Sequence, residues 1–196
     1  MLDGSSLGYD ERDFQRLREL GCGLLDGPEG IRTVIDQKEY LDDWKSNYVI
    51  QSVRSSIHAK KITCIDSAIF SYGLLELLFP DVKRRLLAIH RRDPKKDEEM
   101  GHCVTLWWND AGKVGSFSKS SFVGLGHRDP VFEDEHAVAA SYAKAYLKMQ
   151  FEPLYFGVTT LEEAAPDVDW RFDPGALNVI SERLQAKYEY AFMLPK

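Results

Sequence analysis

The chain has 196 residues, 44% of them hydrophobic, 29% charged and 12% aromatic, a balance that excludes a disordered, collagen-like or coiled-coil protein. A chain of this length buries about 70% of its extended surface on folding, which is enough for a single domain over 1–196. Its 25 Lys and Arg against 31 Asp and Glu give a formal charge of −6, so its overall field repels polyanions and no nucleic-acid partner is expected.

The opening stretch, MLDGSSLGYDERDF, carries acid where a signal peptide carries base, and no apolar run nears the ~20 residues that span a bilayer. No membrane partner is expected. Phe14, Leu17 and Leu20 recur at helical spacing up to Gly21. Pro28 then opens a second helical stretch with Ile31, Val34, Ile35, Leu41 and Trp44 on one side, making 10–46 a helical N-terminal part. Residues 48–62 are mixed and read as a connector with room for one strand. From Thr63, TCIDSAIFSYGLLELLF predicts a helix buried on most sides that ends before Pro80. Strands follow at 83–90, 102–108 and 113–119, the first two separated by the polar loop RRDPKKDEEMG and the last two joined as a hairpin by the turn NDAG. EDEHAVAASYAKAYLKM and PGALNVISERLQAKY read as helices and EYAFML as a closing strand, giving a C-terminal part at 131–194. The expected fold class is α+β: a core at about 58–126 with a cysteine-bearing helix packed on an antiparallel sheet, and extra helices outside.

Thr63 can cap that helix in a box with Asp66, which makes Cys64 its first residue. A thiol there meets free N–H groups and the positive end of the helix dipole, both of which favour the nucleophilic thiolate. The ordinary alternative is a small buried apolar residue. Cys22, between two glycines, and Cys103, inside an apolar strand, read as structural. The three cysteines are too few and too far apart for a disulfide framework, which fits a reducing cytoplasm. A zinc site built from Cys64, His102 and Cys103 is opposed by strand geometry, since neighbours point to opposite faces. No metal and no cofactor are expected.

His102 opens a strand whose Val104, Leu106 and Trp108 share its face, so it needs a buried partner: backbone, in the ordinary case, or a thiol. The order of cysteine on a helix start, intervening strand, histidine on a strand, hairpin and next strand resembles the core of the transglutaminase-like superfamily within the papain-like cysteine enzymes. The resemblance covers roughly Lys61 to Phe122 and is carried by TCIDSAIF and GHCVTLWWNDAGKVGSF. It implies that Cys64 attacks an amide or ester carbonyl, that His102 takes its proton, and that an acid on the next strand orients the histidine. GSFSKSSFVGLGHRDPVF is also similar to a stretch of a poorly characterised group of bacterial proteins, which implies no substrate.

The third member departs from the family. Asn109 and Asp110 lie in the hairpin turn, about 23 to 26 Å along the strand from His102. Pairing Trp108 with Lys113 sets His102 against Lys119, with Ser118 or Ser120 opposite after a slip of one residue. Ser118, Ser120, a carboxylate from elsewhere such as Asp129, or no group at all remain open. Among substrate-binding residues, Lys119, His58 and Arg92 are candidates, the last within the basic run 83–99, which otherwise reads as a solvated strand and loop. His58, Gln51 or the Cys64 amide could donate to a developing oxyanion. The expected function is thiol-dependent acyl transfer, by hydrolysis or transamidation of a peptide or small amide. The alternative is a non-catalytic interaction domain that keeps the fold.

Overall fold

The computed structural model describes residues 8–42, 48–174, 178–186 and 190–191. Asp10 and Asp13 cap α1 (Glu11–Glu19) reciprocally, and Phe14 and Leu17 are buried. α2 (Ile31–Asp36) is shorter than the apolar spacing predicts. The chain leaves it for the two-residue strand β1 (Glu39–Tyr40), so Leu41 is not helical, and Trp44 lies outside the described residues. The stretch read as a connector contains α3 (Val53–His58), capped by Ser52, and β2 (Lys61–Ile62), which runs parallel to β1. Six residues with one i,i+4 apolar pair are too short to display a helical period.

Thr63 and Asp66 form the expected reciprocal cap, and α4 (Cys64–Leu78) is apolar all round, with ten consecutive buried residues from Asp66 to Leu75. Beyond it come β3 (Arg84–Asp93), β4 (Glu98–Trp108), β5 (Val114–Phe117), β6 (Arg128–Phe132), α5 (Glu135–Lys148), β7 (Glu152–Thr159), α6 (Leu161–Ala164), α7 (Asn178–Gln185) and β8 (Tyr190–Ala191). The polar stretch 91–101 is not a loop but two paired strand arms, with register running out to Asp93↔Glu98. Asp97 takes the left-handed conformation, φ 55°, that closes the turn. Residues 128–132 form an edge strand; Pro130 is tolerated there because an edge strand can leave one N–H unpaired.

Strands β3 to β8 form an antiparallel six-stranded sheet in the order β6-β5-β4-β3-β7-β8. Its two faces bury different sets of residues, because side chains alternate along each strand. Leu86, Ala88, Cys103, Trp107 and Phe117 join α4 and the other helices in one core. Leu87, Ile89, Val104, Leu106 and Val114 join Val138, Ala139, Tyr142 and Tyr146 of α5 in the second. The fold class is thus α+β, with the cysteine helix on one face of an antiparallel sheet. Among the described residues no helix is long and apolar enough to cross a membrane.

Candidate active site

Where β5 stops, β4 has a free edge. Trp108 N–H donates to Lys83 O at 3.2 Å, so even-numbered N–H groups of β4 point to β3 and those of 103, 105 and 107 point to β5. Pairing with β5 ends at Thr105↔Phe117, which leaves the N–H of Cys103 without a strand partner. The thiol of Cys64, first residue of α4, faces that N–H, which favours its thiolate form. Tyr40, at the end of β1, brings its hydroxyl against the same thiol.

Burial raises the pKa of Cys64, and the N–H groups of Cys103 and Ile65 and the charge of Arg91 only partly oppose it. The resting group is a neutral thiol, contrary to the thiolate that its helix-start position suggests. Loss of water around a small group on the cavity floor outweighs the N–H groups that point at it.

His102 projects from the opposite face of β4, with Val104 and Leu106, and is 4% exposed. Its Nε2 lies 2.9 Å from Ser118 Oγ. The Ser118 hydroxyl donates to Leu125 O at 2.7 Å, so it can only accept from the ring. The imidazole therefore carries its hydrogen on Nε2 and keeps the lone pair on Nδ1. Tyr142 meets the ring edge-on at 5.8 Å. Burial is the main cause that lowers the His102 pKa to about 3, and Arg91 adds to it. Ser118 is itself fixed: its N–H donates to His127 Nδ1 at 3.0 Å, and His127 Nε2 reaches Asp36 Oδ1 at 3.1 Å.

A cavity of about 610 Å³ wraps the free edge of β4 and is lined by both Cys64 and His102. Wrapping the edge is what lets groups from opposite faces of the sheet reach one space. The β4–β5 pairing differs by one residue from the expected register, Trp108 facing Val114, and β5 ends before Ser118, whose hydroxyl then turns to His102. Ser120 lines the cavity and accepts from Phe122 N–H at 3.1 Å. Asp129 instead pairs with Arg32 at the surface.

Three expected substrate contacts stand outside the cavity lining. His58 Nε2 is 2.8 Å from Asp13 Oδ1, Lys119 Nζ donates to Asp36 O at 3.3 Å, and Arg92 Nε donates to Glu152 Oε2 at 3.0 Å. Gln51 Nε2 is bonded to Lys61 O at 3.1 Å. Of the lining residues, Tyr40 was not legible in the sequence, and Arg91 was legible only as one of the seven basic residues of 83–99, which could recognise an acidic substrate group. Tyr40 arrives from a two-residue strand, and Arg91 differs from its charged neighbours only in the face to which strand parity assigns it. Among the described residues no group of three or more His, Cys, Asp or Glu is arranged to hold a metal ion.

No known protein family matches the chain, and no curated protein does. Among solved structures, LapG of Legionella pneumophila matches with a TM-score of 0.43 and 13% identity, over 89% of this chain and 91% of that one. The EGTA-treated form of the same protein matches with a TM-score of 0.43 and 14% identity, over 91% of each chain.

Proposed function

We propose that the protein is a thiol-dependent acyl-transfer enzyme, a distant relative of the transglutaminase-like cysteine enzymes, in which Cys64 is the nucleophile and His102 the base. The observation that carries this reading is one cavity lined by a helix-start cysteine and by a histidine whose Nε2 is held by Ser118, leaving Nδ1 as its basic nitrogen. Because burial keeps both groups neutral, proton transfer accompanies attack instead of preceding it. The Cys64 S–H proton goes to His102 Nδ1 through water held in the shared cavity, since the two groups stand on opposite faces of β4, as the sulfur bonds to the amide carbonyl carbon. His102 then gives that proton to the departing nitrogen as the C–N bond breaks, releasing an amine and leaving a thioester. Water, or a second amine, attacks the thioester and loses its proton to His102, and the C–S bond breaks to free the acid, or a new amide, and the thiol.

Tyr40, whose hydroxyl lies against the thiol, is suited to donate to the oxyanion that forms beside it. Ser118 supplies orientation without charge, so the imidazolium is stabilised less than by a carboxylate. Peptides or small amides are the proposed substrates, and the three free cysteines fit a reducing, cytoplasmic setting. Neutrality of both groups also favours a second reading, a non-catalytic interaction domain with the same framework. Alkylation of each cysteine between pH 5 and 9, followed by peptide mapping, separates the two. Enzyme chemistry requires Cys64, half-buried at the cavity, to react ahead of Cys22 and Cys103, both buried, and to slow in His102→Gln. Equal labelling of all three, or no effect of His102→Gln, favours the interaction domain.

A further inference from the structure

Arg91 is 4% exposed, and its neighbours on β3 define what is unusual about it. Arg84 pairs with Glu76, Arg85 with Glu135 and Arg92 with Glu152; among the described residues Arg91 pairs with no carboxylate. Its guanidinium lies over the rings of Tyr146, Phe151 and Phe122, at 4.8, 5.0 and 5.4 Å from their centroids. The polar contacts are long: Nη1 to Tyr146 Oη at 3.5 Å and Nη2 to Met100 Sδ at 3.8 Å. Nε has no partner. A guanidinium brings five N–H donors, and a buried charge without a counter-ion is destabilising, which aromatic faces offset only in part. Arg91 lines the cavity that contains Cys64 and His102, and its charge acts on both.

We propose that Arg91 is the anchor for a carboxylate on the substrate, so that the amide attacked by Cys64 belongs to a molecule bearing a free carboxylate near the scissile bond, such as a chain-terminal or acidic-side-chain carboxylate. This rests on the acyl-transfer reading and adds the substrate class to it. The planar fork of N–H groups matches a carboxylate with two parallel bonds, and the ring cage fixes the fork before the substrate arrives. Of the other charged groups lining the cavity, Glu99 is held by His90 Nε2 at 2.8 Å, and among the described residues neither Glu99 nor Asp42 forms an ion pair with Arg91. An incoming carboxylate supplies the missing counter-ion and, by removing net positive charge near His102, makes proton uptake at Nδ1 easier.

The test compares two alkylating reagents of similar size, iodoacetate and iodoacetamide, for their rates at Cys64 in the wild-type protein, located by peptide mapping. Each rate is referred to that of a free thiol in the same buffer. Carboxylate capture predicts that the referred iodoacetate-to-iodoacetamide ratio exceeds one by about tenfold, that Arg91→Gln returns it to near one, and that Arg91→Lys retains part of it. A wild-type ratio near one, with Cys64 still reactive, overturns the carboxylate anchor and leaves the acyl-transfer reading standing. A folded Arg91→Gln with the wild-type ratio overturns the role of Arg91. Cys64 inert to both reagents overturns the acyl-transfer reading and the substrate class with it. The wild-type ratio decides the point even if Arg91→Gln does not fold.

Discussion

A histidine enclosed by Ser118, Tyr142 and Leu125 resists protonation, and that resistance has a thermodynamic signature. Unfolded, the imidazole takes a proton near its ordinary value of 6.5; folded, His102 takes one only near pH 3. The unfolded state therefore binds more protons throughout that interval. The stability tied to a neutral His102 is fully present above pH 6.5 and is lost as pH falls toward 3, at up to about 1.4 kcal/mol per pH unit. Urea midpoints at pH 7, 5.5 and 4 are expected to fall more steeply for the wild type than for His102→Gln; parallel curves would mean that the imidazole is hydrated. Ser118→Ala removes a neutral hydrogen bond and is expected to cost about 1 kcal/mol of stability. Its effect on turnover of an activated ester is expected to be on the order of tenfold, much smaller than that of His102→Gln, because the histidine moves the proton and the serine only holds the ring. Equal losses from the two would make Ser118 part of the chemistry.

Helix α4 presents Cys64 because two contacts set it in place. Asp66 accepts from Thr63 N–H at 2.7 Å, Thr63 Oγ1 at 2.8 Å and Gln51 N–H at 2.8 Å, and also from Tyr48 Oη, which ties the start of the helix to the segment before α3. On its other side Gly73 admits Val53 of α3: a Cβ at Gly73 would meet the stiff methyls Cγ2 and Cγ1 of Val53 at 2.5 and 2.8 Å. Gly73→Ala is therefore expected to destabilise the protein by ~1–3 kcal/mol despite the better helix propensity of alanine, with Val53→Ala in the same chain restoring part of the loss. A Gly73→Ala variant as stable as the wild type in urea would deny that the two helices touch there. Elements of this kind were unequally legible. α4 and the β4–β5 hairpin announce themselves through a long apolar run and strict alternation, whereas α3 is too short to show a period. β7 mixes Pro153 and Gly157 into its run, and the far arms of β3 and β4 carry charged residues that show no apolar alternation.

Across the whole molecule, the site exists because one strand outlasts its neighbour. β5 ends at Phe117 while β4 continues back to Glu98, and the edge left open is where a helix start from one face and a histidine from the other share a cavity. The helix start at Cys64, the strand that carries His102 and the hairpin beyond it were legible from capping chemistry, alternation and turn signals, with the register one residue off. The placement of Tyr40 and Arg91 in the cavity was not, because it depends on which way a short strand or a bulged one turns its side chains; β3 shifts register against β7 between His90 and Arg91. The same architecture predicts that acylation needs the folded edge, not merely an exposed thiol. The most direct test is a pre-steady-state reaction with p-nitrophenyl acetate, followed by intact mass and peptide mapping. The account predicts a burst of about one acyl group per chain, located on Cys64, absent from Cys64→Ala and slowed by at least tenfold in His102→Gln. An acyl group spread over several residues, or a burst that survives Cys64→Ala, would contradict it.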